Sequence, residues 1–310
     1  MICIRNVSKA FDGTPALNGL DMTVQHGSAY GLVGANGAGK TTILKLLMGV
    51  LIPDSGDITI EDHPVFDNEV IKRRMALIPD DLAYYGKYTA KGLARIYASL
   101  YERWNGALYQ YIMDGFYLAG NVSLSRFSKG MQKQTAFALV LAAEPDYLIL
   151  DEPVDGLDPL AKKIVWYHIQ HAITNRQMTV LVSSHNLREL EGICDSVGII
   201  DQGRMLLEKK LGEMRSDIHK LQISFGGESS LSGDVKDSPT PEGAYQGLKI
   251  IHMERQGAVD VIIVRESREA LERWRDEFRP VLFNPIPLSL EEVFIYEPGG
   301  MDYADSSVFQ

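Results

Sequence analysis

The segment over residues 34–42 is the part of the sequence whose spacing points most directly to a chemistry. It matches the pattern G-x-x-x-x-G-K-[ST] and follows an apolar run, as a phosphate-binding loop between a strand and a helix does. In such a loop backbone N–H groups point at phosphate oxygens, a lysine adds a point charge and a hydroxyl ligates Mg²⁺. The residues predicted to bind the phosphates are Gly34, Asn36, Gly37, Ala38, Gly39, Lys40, Thr41 and Thr42.

This loop predicts a nucleoside triphosphate as the ligand, but it does not identify the reaction. We expect the Lys40 ammonium to lie between the β- and γ-phosphates and the Thr41 hydroxyl to contact Mg²⁺. A kinase, a GTPase, a helicase and a transporter motor can all carry such a loop, so all four classes stay open at this point.

A second chemical feature is a pair of acidic residues at the end of an apolar run. Asp151 and Glu152 follow the run over residues 147–150. An acid at the carboxyl end of a strand lies beside the phosphate loop in an open α/β sheet. Asp151 is therefore predicted to hold Mg²⁺, directly or through its water shell, and Glu152 is free to orient or deprotonate the attacking water. The alternative is that both acids form a solvated strand end.

Apolar runs that alternate with helical stretches must position these side chains. Near-continuous apolar runs bounded by polar residues are typical of buried parallel strands, and their alternation with helices predicts an α/β fold. The predicted strands cover residues 28–33, 147–150, 179–183 and 197–200. The predicted helices cover residues 40–48, 160–173 and 187–194. Two further runs, over residues 2–7 and 20–24, are predicted to form an antiparallel β flank.

The character of the sequence changes after Arg215. Residues 226–243 are rich in Gly, Ser and Pro and predict a loop, and Ser267 is a predicted N-cap of a helix over 267–278. The predicted parts are a nucleotide-binding unit over 1–215 that includes a helical insertion over 84–129, a small α+β unit over 216–298 and a flexible tail over 299–310.

Composition sets limits on the function classes. The chain has 310 residues with 31 Lys and Arg against 41 Asp and Glu, a formal net charge of −10, which disfavours a broad nucleic-acid surface. Cys3 and Cys194 are too few for a disulfide framework or a cysteine-rich zinc site, and indicate reduced thiols. No window holds the roughly 18 consecutive apolar residues of a membrane-spanning helix, so a membrane role would need a partner.

Three further motifs complete a recognisable order. Phe-Ser-Lys-Gly-Met-Gln over 127–132 precedes the acidic strand, Pro-Val-Asp-Gly-Leu-Asp-Pro over 153–159 follows it, and Ser-Ser-His over 183–185 comes next. With the phosphate loop and the two acids, they resemble the ATP-binding subunits of ATP-binding-cassette (ABC) transporters, in an exporter-like bacterial subgroup. The resemblance covers residues 1–215 and implies a P-loop NTPase cassette of α/β class with an antiparallel β flank and a helical subdomain.

The resemblance assigns roles to five more residues. Phe11 matches an aromatic that stacks on adenine, although a lone aromatic there can also belong to the core. Ser128 and Gly130 match a signature loop that reaches across a dimer and caps the γ-phosphate held by the other subunit. Asp158 matches the loop that links the two sites, and His185 matches a switch histidine that contacts the γ-phosphate.

Two positions depart from the family pattern. Lys129 stands where the signature usually has glycine, and Asp80 stands where the family has Gln, or Glu in the subgroup. The matching residue senses Mg²⁺ and water. Asp80 is therefore expected to contact the metal through a water, unless the coupling geometry differs.

The resemblance implies a subunit that binds and hydrolyses ATP with Mg²⁺. Two subunits, identical or different, would enclose two MgATP and drive a separate transmembrane permease, with export as the expected direction and no nucleic acid as partner. The expected location is cytoplasmic, peripheral on the inner face of the membrane through the permease. Two alternatives stay open: a soluble ABC-type ATPase acting on ribosomes or DNA, and a weakly hydrolysing nucleotide-dependent regulator, suggested by Asp80 and Lys129.

Overall fold

The computed structural model describes residues 1–82, 88–211, 217–225 and 243–296. It divides into two compact units, Met1–Lys209 and Lys210–Gln310. Residues 226–242 of the predicted loop, the predicted tail over 299–310 and the first residues of the helical insertion, 84–87, lie outside the described residues. The domain boundary predicted after residue 215 stays a prediction, because residues 212–216 are not described either.

A six-stranded sheet with the order β10-β9-β3-β8-β7-β6 forms the centre of the first unit. The pairs β9/β3, β3/β8, β8/β7 and β7/β6 are all parallel. Its strands are β3 (Ala29–Val33), β6 (Met75–Ile78), β7 (Tyr147–Asp151), β8 (Thr179–Ser184), β9 (Ser196–Asp201) and β10 (Arg204–Lys210). All residues of β3, β7 and β8 are buried, which explains their near-continuous apolar sequences. The four strands predicted here are confirmed, whereas β6 and β10 were not predicted.

A second sheet, with the order β2-β1-β4-β5, forms the predicted antiparallel flank. Its strands are β1 (Ile2–Phe11), β2 (Thr14–Val24), β4 (Ser55–Ile60) and β5 (His63–Pro64). One hydrophobic core joins this flank, the central sheet and the helix after the phosphate loop, and it includes Ile2, Leu20, Leu32, Leu47 and Leu181.

Side-chain caps set the start of most helices in the first unit. The helices are α1 (Lys40–Leu47), α2 (Glu69–Lys72), α3 (Ala90–Leu100), α4 (Gly106–Gly115), α5 (Lys129–Ala142), α6 (Pro159–Arg176) and α7 (Leu187–Leu190). Thr89 and Asn105 accept backbone N–H groups at the starts of α3 and α4. The helix predicted over 187–194 is wrong in length, because Glu191 is extended and Gly192 has a left-handed φ of 77°. Across the described residues, every helix is too short or too polar to cross a membrane.

The second unit has its own sheet and core. Four antiparallel strands in the order β12-β13-β11-β14 carry buried Leu221, Ile223 and Ile262, which pack with Trp274 of the following helix. The elements are β11 (Ile218–Ser224), β12 (Ile250–Gln256), β13 (Val259–Arg265), α8 (Arg268–Phe278), β14 (Leu282–Ile286) and α9 (Leu290–Tyr296). The predicted cap is confirmed, since the Ser267 side chain accepts the N–H of Ala270. Strand β14 was not predicted.

A group of charged side chains ties the end of β4 to the starts of β6 and β7. Arg74 donates to both carboxylate oxygens of Glu61 at 2.8 Å and to Asp146 at 2.6 Å. The Tyr147 hydroxyl donates to Glu61 at 2.7 Å. Hydrogen bonds from Arg74 and then from Tyr147 lower the pKa of Glu61 to about 2.

We expect Arg74→Met to lower the free energy of unfolding by about 1 kcal/mol at neutral pH, since these charges are partly solvent-screened. The pKa of Glu61 is about 2 in the folded chain against an ordinary 4.5. The stabilisation that the charged Glu61 carboxylate provides is therefore complete at pH values above the ordinary pKa of 4.5. It is lost as the pH falls toward the folded-state pKa of about 2. Urea unfolding measures the free energy of unfolding of wild type and Arg74→Met. The difference between these two free energies should become smaller as the pH drops below 4.5, the ordinary pKa of a glutamate.

The neighbouring Arg73 provides the control. Its ion pair with Glu69 has side chains that are 58% and 78% exposed. Arg73→Met should therefore change the free energy of unfolding little, both at neutral pH and below pH 4.5. Equal losses for Arg73→Met and Arg74→Met would contradict the role given to Arg74.

Candidate nucleotide site

Three parallel strands bring the predicted site residues to one edge of the central sheet. Val33 at the end of β3 is in register with Ser184 of β8, and Asp151 at the end of β7 is in register with Ser183. The phosphate loop follows β3, the acidic pair spans the end of β7, and the Ser-Ser-His motif spans the end of β8. This is the edge at which open α/β sheets bind ligands.

The loop over residues 34–42 needs glycine for steric reasons. Gly39 has a φ of 112°, and a Cβ atom there would lie 2.8 Å from the Ala16 carbonyl oxygen. A Cβ atom at Gly34 would lie 2.4 Å from the Ile200 carbonyl oxygen. Since real Cβ contacts are not this short, the tight turn that aims backbone N–H groups at a phosphate is open only to glycine at these positions.

Lys40 is buried at the mouth of this loop. Its ammonium donates to the carbonyl oxygens of Gly34 at 2.6 Å and Ala35 at 3.3 Å. The same Nζ atom lies 3.1 Å from Oε1 of Glu152. A buried charge requires such partners, and phosphate oxygens can replace each of these acceptors.

Oxygen ligands for a divalent cation meet beside Lys40. The Thr41 hydroxyl donates to Oδ2 of Asp151 at 2.8 Å, and the Ser183 hydroxyl donates to Oδ1 at 2.6 Å. Asp151 is only 4% exposed. A hydroxyl and a carboxylate next to a phosphate site are the donors that Mg²⁺ prefers, so Thr41 and Asp151 fit this ion. The contact of Ser183 with Asp151 was not predicted, because the sequence shows Ser183 only as part of the Ser-Ser-His motif.

Glu152 is held more firmly than the sequence suggested. Its Oε2 atom accepts the His185 backbone N–H at 3.2 Å and lies 2.9 Å from His185 Nδ1. Its φ of 44° is left-handed, which costs roughly 1–2 kcal/mol for a residue with a Cβ atom. Lys40 and His185 both engage this carboxylate, so the action of Glu152 on water stays a prediction that would require Lys40 to move.

Negative charge accumulates on the far side of Glu152. Burial raises the pKa of the Asp155 carboxyl above its ordinary value, and the charges of Glu152 and Glu189 add to this effect. Lys162 pairs with Glu189 at 2.9 Å. The Glu152 carboxylate thus has a second acidic group near it, and each of the two disfavours the charged form of the other.

Ser128 of the predicted signature loop and Asp158 of the predicted linking loop lie away from the cavity at the phosphate loop. Ser128 is the N-cap of α5 and accepts the Met131 N–H at 3.2 Å. Asp158 is the N-cap of α6 and accepts the N–H groups of Leu160 and Ala161 at 3.0 and 2.9 Å. Neither side chain is among those lining the cavity in the same chain.

The cavity itself has a volume of about 200 Å³ and opens to solvent. It is lined by Ala16, Ala35, Asn36, Gly37, Gly39, Lys40, Thr41, Thr42, Asp80 and Glu152. The structure thus brings most of the predicted phosphate residues together with Asp80 and Glu152. Ala16 was missed by sequence reasoning, since an alanine in β2 carries no chemical signal.

Phe11 and Asp80 are both accessible. Phe11 ends β1 and is 44% exposed, so the alternative that places it in the core is wrong. The Lys9 ammonium lies 5.8 Å from its ring centroid. Asp80 follows β6, and its Oδ1 atom lies 3.3 Å from the Lys133 ammonium. Lys133 was not predicted, because the sequence shows it only as one polar residue of a helix.

Comparison with known proteins agrees with this geometry. The family model described as "ABC transporter" matches residues 17–155. The ABC transporter ATP-binding protein YtrB of Bacillus subtilis (strain 168) is 28% identical over 97% of this chain and 99% of its own length. The Nod factor export ATP-binding protein I of Burkholderia lata is 33% identical over 67% of this chain and 70% of its own length.

A solved structure of an ATP binding subunit of an ABC transporter shares the fold. It is 28% identical, covers 69% of this chain and 92% of its own, and superposes with a TM-score of 0.64. The predicted α/β cassette architecture is thereby confirmed. Together the family model, these relatives and this structure show that the chain belongs to the ATP-binding subunits of ABC transporters.

Proposed function

We propose that this chain hydrolyses MgATP at the edge formed by β3, β7 and β8. The observation that carries the proposal is the placement of Lys40, Thr41 and Glu152 around one cavity, with Asp151 bonded to Thr41. An ammonium, two oxygen ligands and a carboxylate are the parts that phosphoryl transfer to water requires.

Lys40 and the loop N–H groups would bind the β- and γ-phosphates. The Lys40 ammonium would exchange its contacts with Gly34, Ala35 and Glu152 for phosphate oxygens, which are ionised and therefore stronger acceptors than the two carbonyl oxygens. Thr41 and Asp151 would hold Mg²⁺. When bound, Mg²⁺ neutralises charge that develops on the phosphate oxygens.

Glu152 would orient a water molecule and accept its proton. In the structure this carboxylate forms an ion pair with Lys40, so movement of Lys40 toward a phosphate would release it for this role. His185 keeps a second contact with the carboxylate and fixes its direction. Nucleotide binding and activation of the base are therefore linked through one ammonium group.

The signature residues would act on a second subunit. Ser128 and Gly130 lie at the N-terminal end of α5, away from the cavity of their own chain. The exposed helix start can offer a hydroxyl and N–H groups to the γ-phosphate held by a partner subunit, with Asp158 near the contact. Two copies, or two related chains, would then enclose two MgATP. The exposed Phe11 ring would stack on adenine, and Asp80 would reach Mg²⁺ through a water.

The work would be done on a separate transmembrane permease. One relative is named for Nod factor export, which supports export as the direction. The chain would be cytoplasmic and bound to the membrane through that permease. Residues 1–215 would form the motor and residues 216–298 an accessory domain.

We expect Lys40→Ala to weaken ATP binding at least tenfold, because a charge-assisted hydrogen bond to phosphate is lost. A fluorescent ATP analogue measures the affinity. Lys45→Ala is the matched control, since Lys45 lies on the same helix with its side chain exposed. Equal affinities for Lys40→Ala and wild type would contradict the phosphate-loop assignment.

Glu152→Gln should lower turnover by about 100-fold or more while ATP still binds, because the amide cannot accept the proton of water. Phosphate release measures turnover, and light scattering with size exclusion measures the mass of the particle. The variant should accumulate as an ATP-bound dimer. Unchanged turnover would show that Glu152 is not the base.

Purification of the tagged chain from detergent-solubilised membranes tests the partner. The permease proposal expects an integral membrane protein to be recovered in stoichiometric amount, and its identity would indicate the cargo. Recovery with ribosomes, and without a membrane protein, would contradict the transporter proposal.

A further inference from the structure

We propose that Lys133 is a positioning residue for hydrolysis, which holds the backbone of Glu152 and the carboxylate of Asp80 from the helix that begins at the signature. The inference rests on the proposed function, since it assumes that Glu152 acts on water. It concerns a residue that lies on α5, one turn beyond Gly130.

Lys133 is a buried cation with few partners. It is only 6% exposed. Its ammonium donates to the backbone oxygen of Glu152 at 2.7 Å and to Oδ1 of Asp80 at 3.3 Å. A lysine is almost never buried to this degree unless it is paired, so these two acceptors hold its charge in place.

The hydrogen bond from Lys133 to the Glu152 carbonyl helps to hold a residue with an unusual backbone conformation. Glu152 has a left-handed φ of 44°, so its backbone must be held by its surroundings. Its N–H donates to the Ser183 carbonyl at 3.2 Å and to the Ser183 hydroxyl at 3.1 Å. Lys133 holds the carbonyl on the other side. The Glu152 backbone is thus fixed at both ends, and this fixes where its carboxylate points.

The start of α5 is packed directly against the loop after Glu152. A Cβ atom at Gly130 would lie 2.8 Å from the Gly156 carbonyl oxygen. Lys133 lies three positions along the helix and therefore on the same face. The close contact at Gly130 lets α5 approach near enough for the Lys133 ammonium to reach the Glu152 carbonyl.

Asp80 extends the connection to the cavity. Its side chain is 60% exposed and lines the cavity beside Lys40 and Thr41. Water screens the ion pair between Lys133 and Asp80, so this pair adds little to the free energy of unfolding. Its effect is to orient the Asp80 carboxylate. One ammonium therefore joins the signature helix, the backbone of the proposed base and the loop after β6.

The central test is Lys133→Met, which keeps the length of the side chain and removes its charge and donors. We expect kcat to fall at least tenfold, since displacement of a catalytic group by an ångström can cost about 100-fold. ATP affinity and KM should stay within about twofold, because the phosphate loop is not altered. Lys163→Met, at an exposed position of α6, is the matched control and should keep the wild-type rate.

Two further variants separate positioning from general structural support. In a Glu152→Gln background, Lys133→Met should lower turnover by a much smaller factor than in the wild type, because the effect that passes through the Glu152 carboxylate is already lost and only the Asp80 contact remains. Lys133→Arg keeps a charged donor and should recover part of the rate that Lys133→Met loses. Thermal unfolding of each variant checks that the fold is kept.

The outcomes distinguish this inference from the proposed function. Wild-type turnover in folded Lys133→Met would overturn the positioning role alone. Loss of ATP affinity in parallel with kcat, a loss in the Glu152→Gln background as large as in the wild type, or no recovery with Lys133→Arg would overturn it as well. A wild-type chain that binds ATP without hydrolysing it would overturn the proposed function and this inference with it.

Discussion

The parallel alignment of β3, β7 and β8 is the constraint on which the site depends. Because β8 pairs with both neighbours, the ends of all three strands meet at one edge of the sheet. Side chains from distant parts of the sequence then share a few polar contacts, and Asp151 accepts hydrogen bonds from both Thr41 and Ser183. A shift of one strand by a single residue would turn these side chains to the other face.

Sequence could predict the parts of this site that carry a local signal. The phosphate loop and the acidic pair were identified because each needs particular residue types at fixed spacing, and the buried strands because burial on both faces requires apolar residues. Strand β6 was missed because its four residues are too short to show a period. Lys133 and Ser183 could not be assigned contacts, since those depend on where α5 and β8 lie in the fold.

The same limit explains what the sequence could not say about Glu152. Its position after an apolar strand is visible in the sequence, but its contacts with Lys40 and His185 depend on the fold. Ser128 and Asp158 show a related effect, since both have a capping role that any helix could require. A motif can therefore combine residues that stabilise a helix with residues that bind a ligand. The cap geometry shows which backbone N–H groups at the start of the helix already have a hydrogen-bond acceptor.

The contact between Gly130 and the Gly156 carbonyl has a consequence for genetic complementation. A side chain at residue 130 would push on the loop that follows Glu152 in the same chain, before any second subunit is considered. In the proposed dimer, in which Gly130 also contacts the nucleotide of the second subunit, a substituted subunit would then disturb two nucleotide sites, its own and its partner's. In a dimer of one wild-type and one substituted subunit, both nucleotide sites would contain a part of the substituted chain. The wild-type copy could then restore neither site fully, so a defect at Gly130 would behave as dominant.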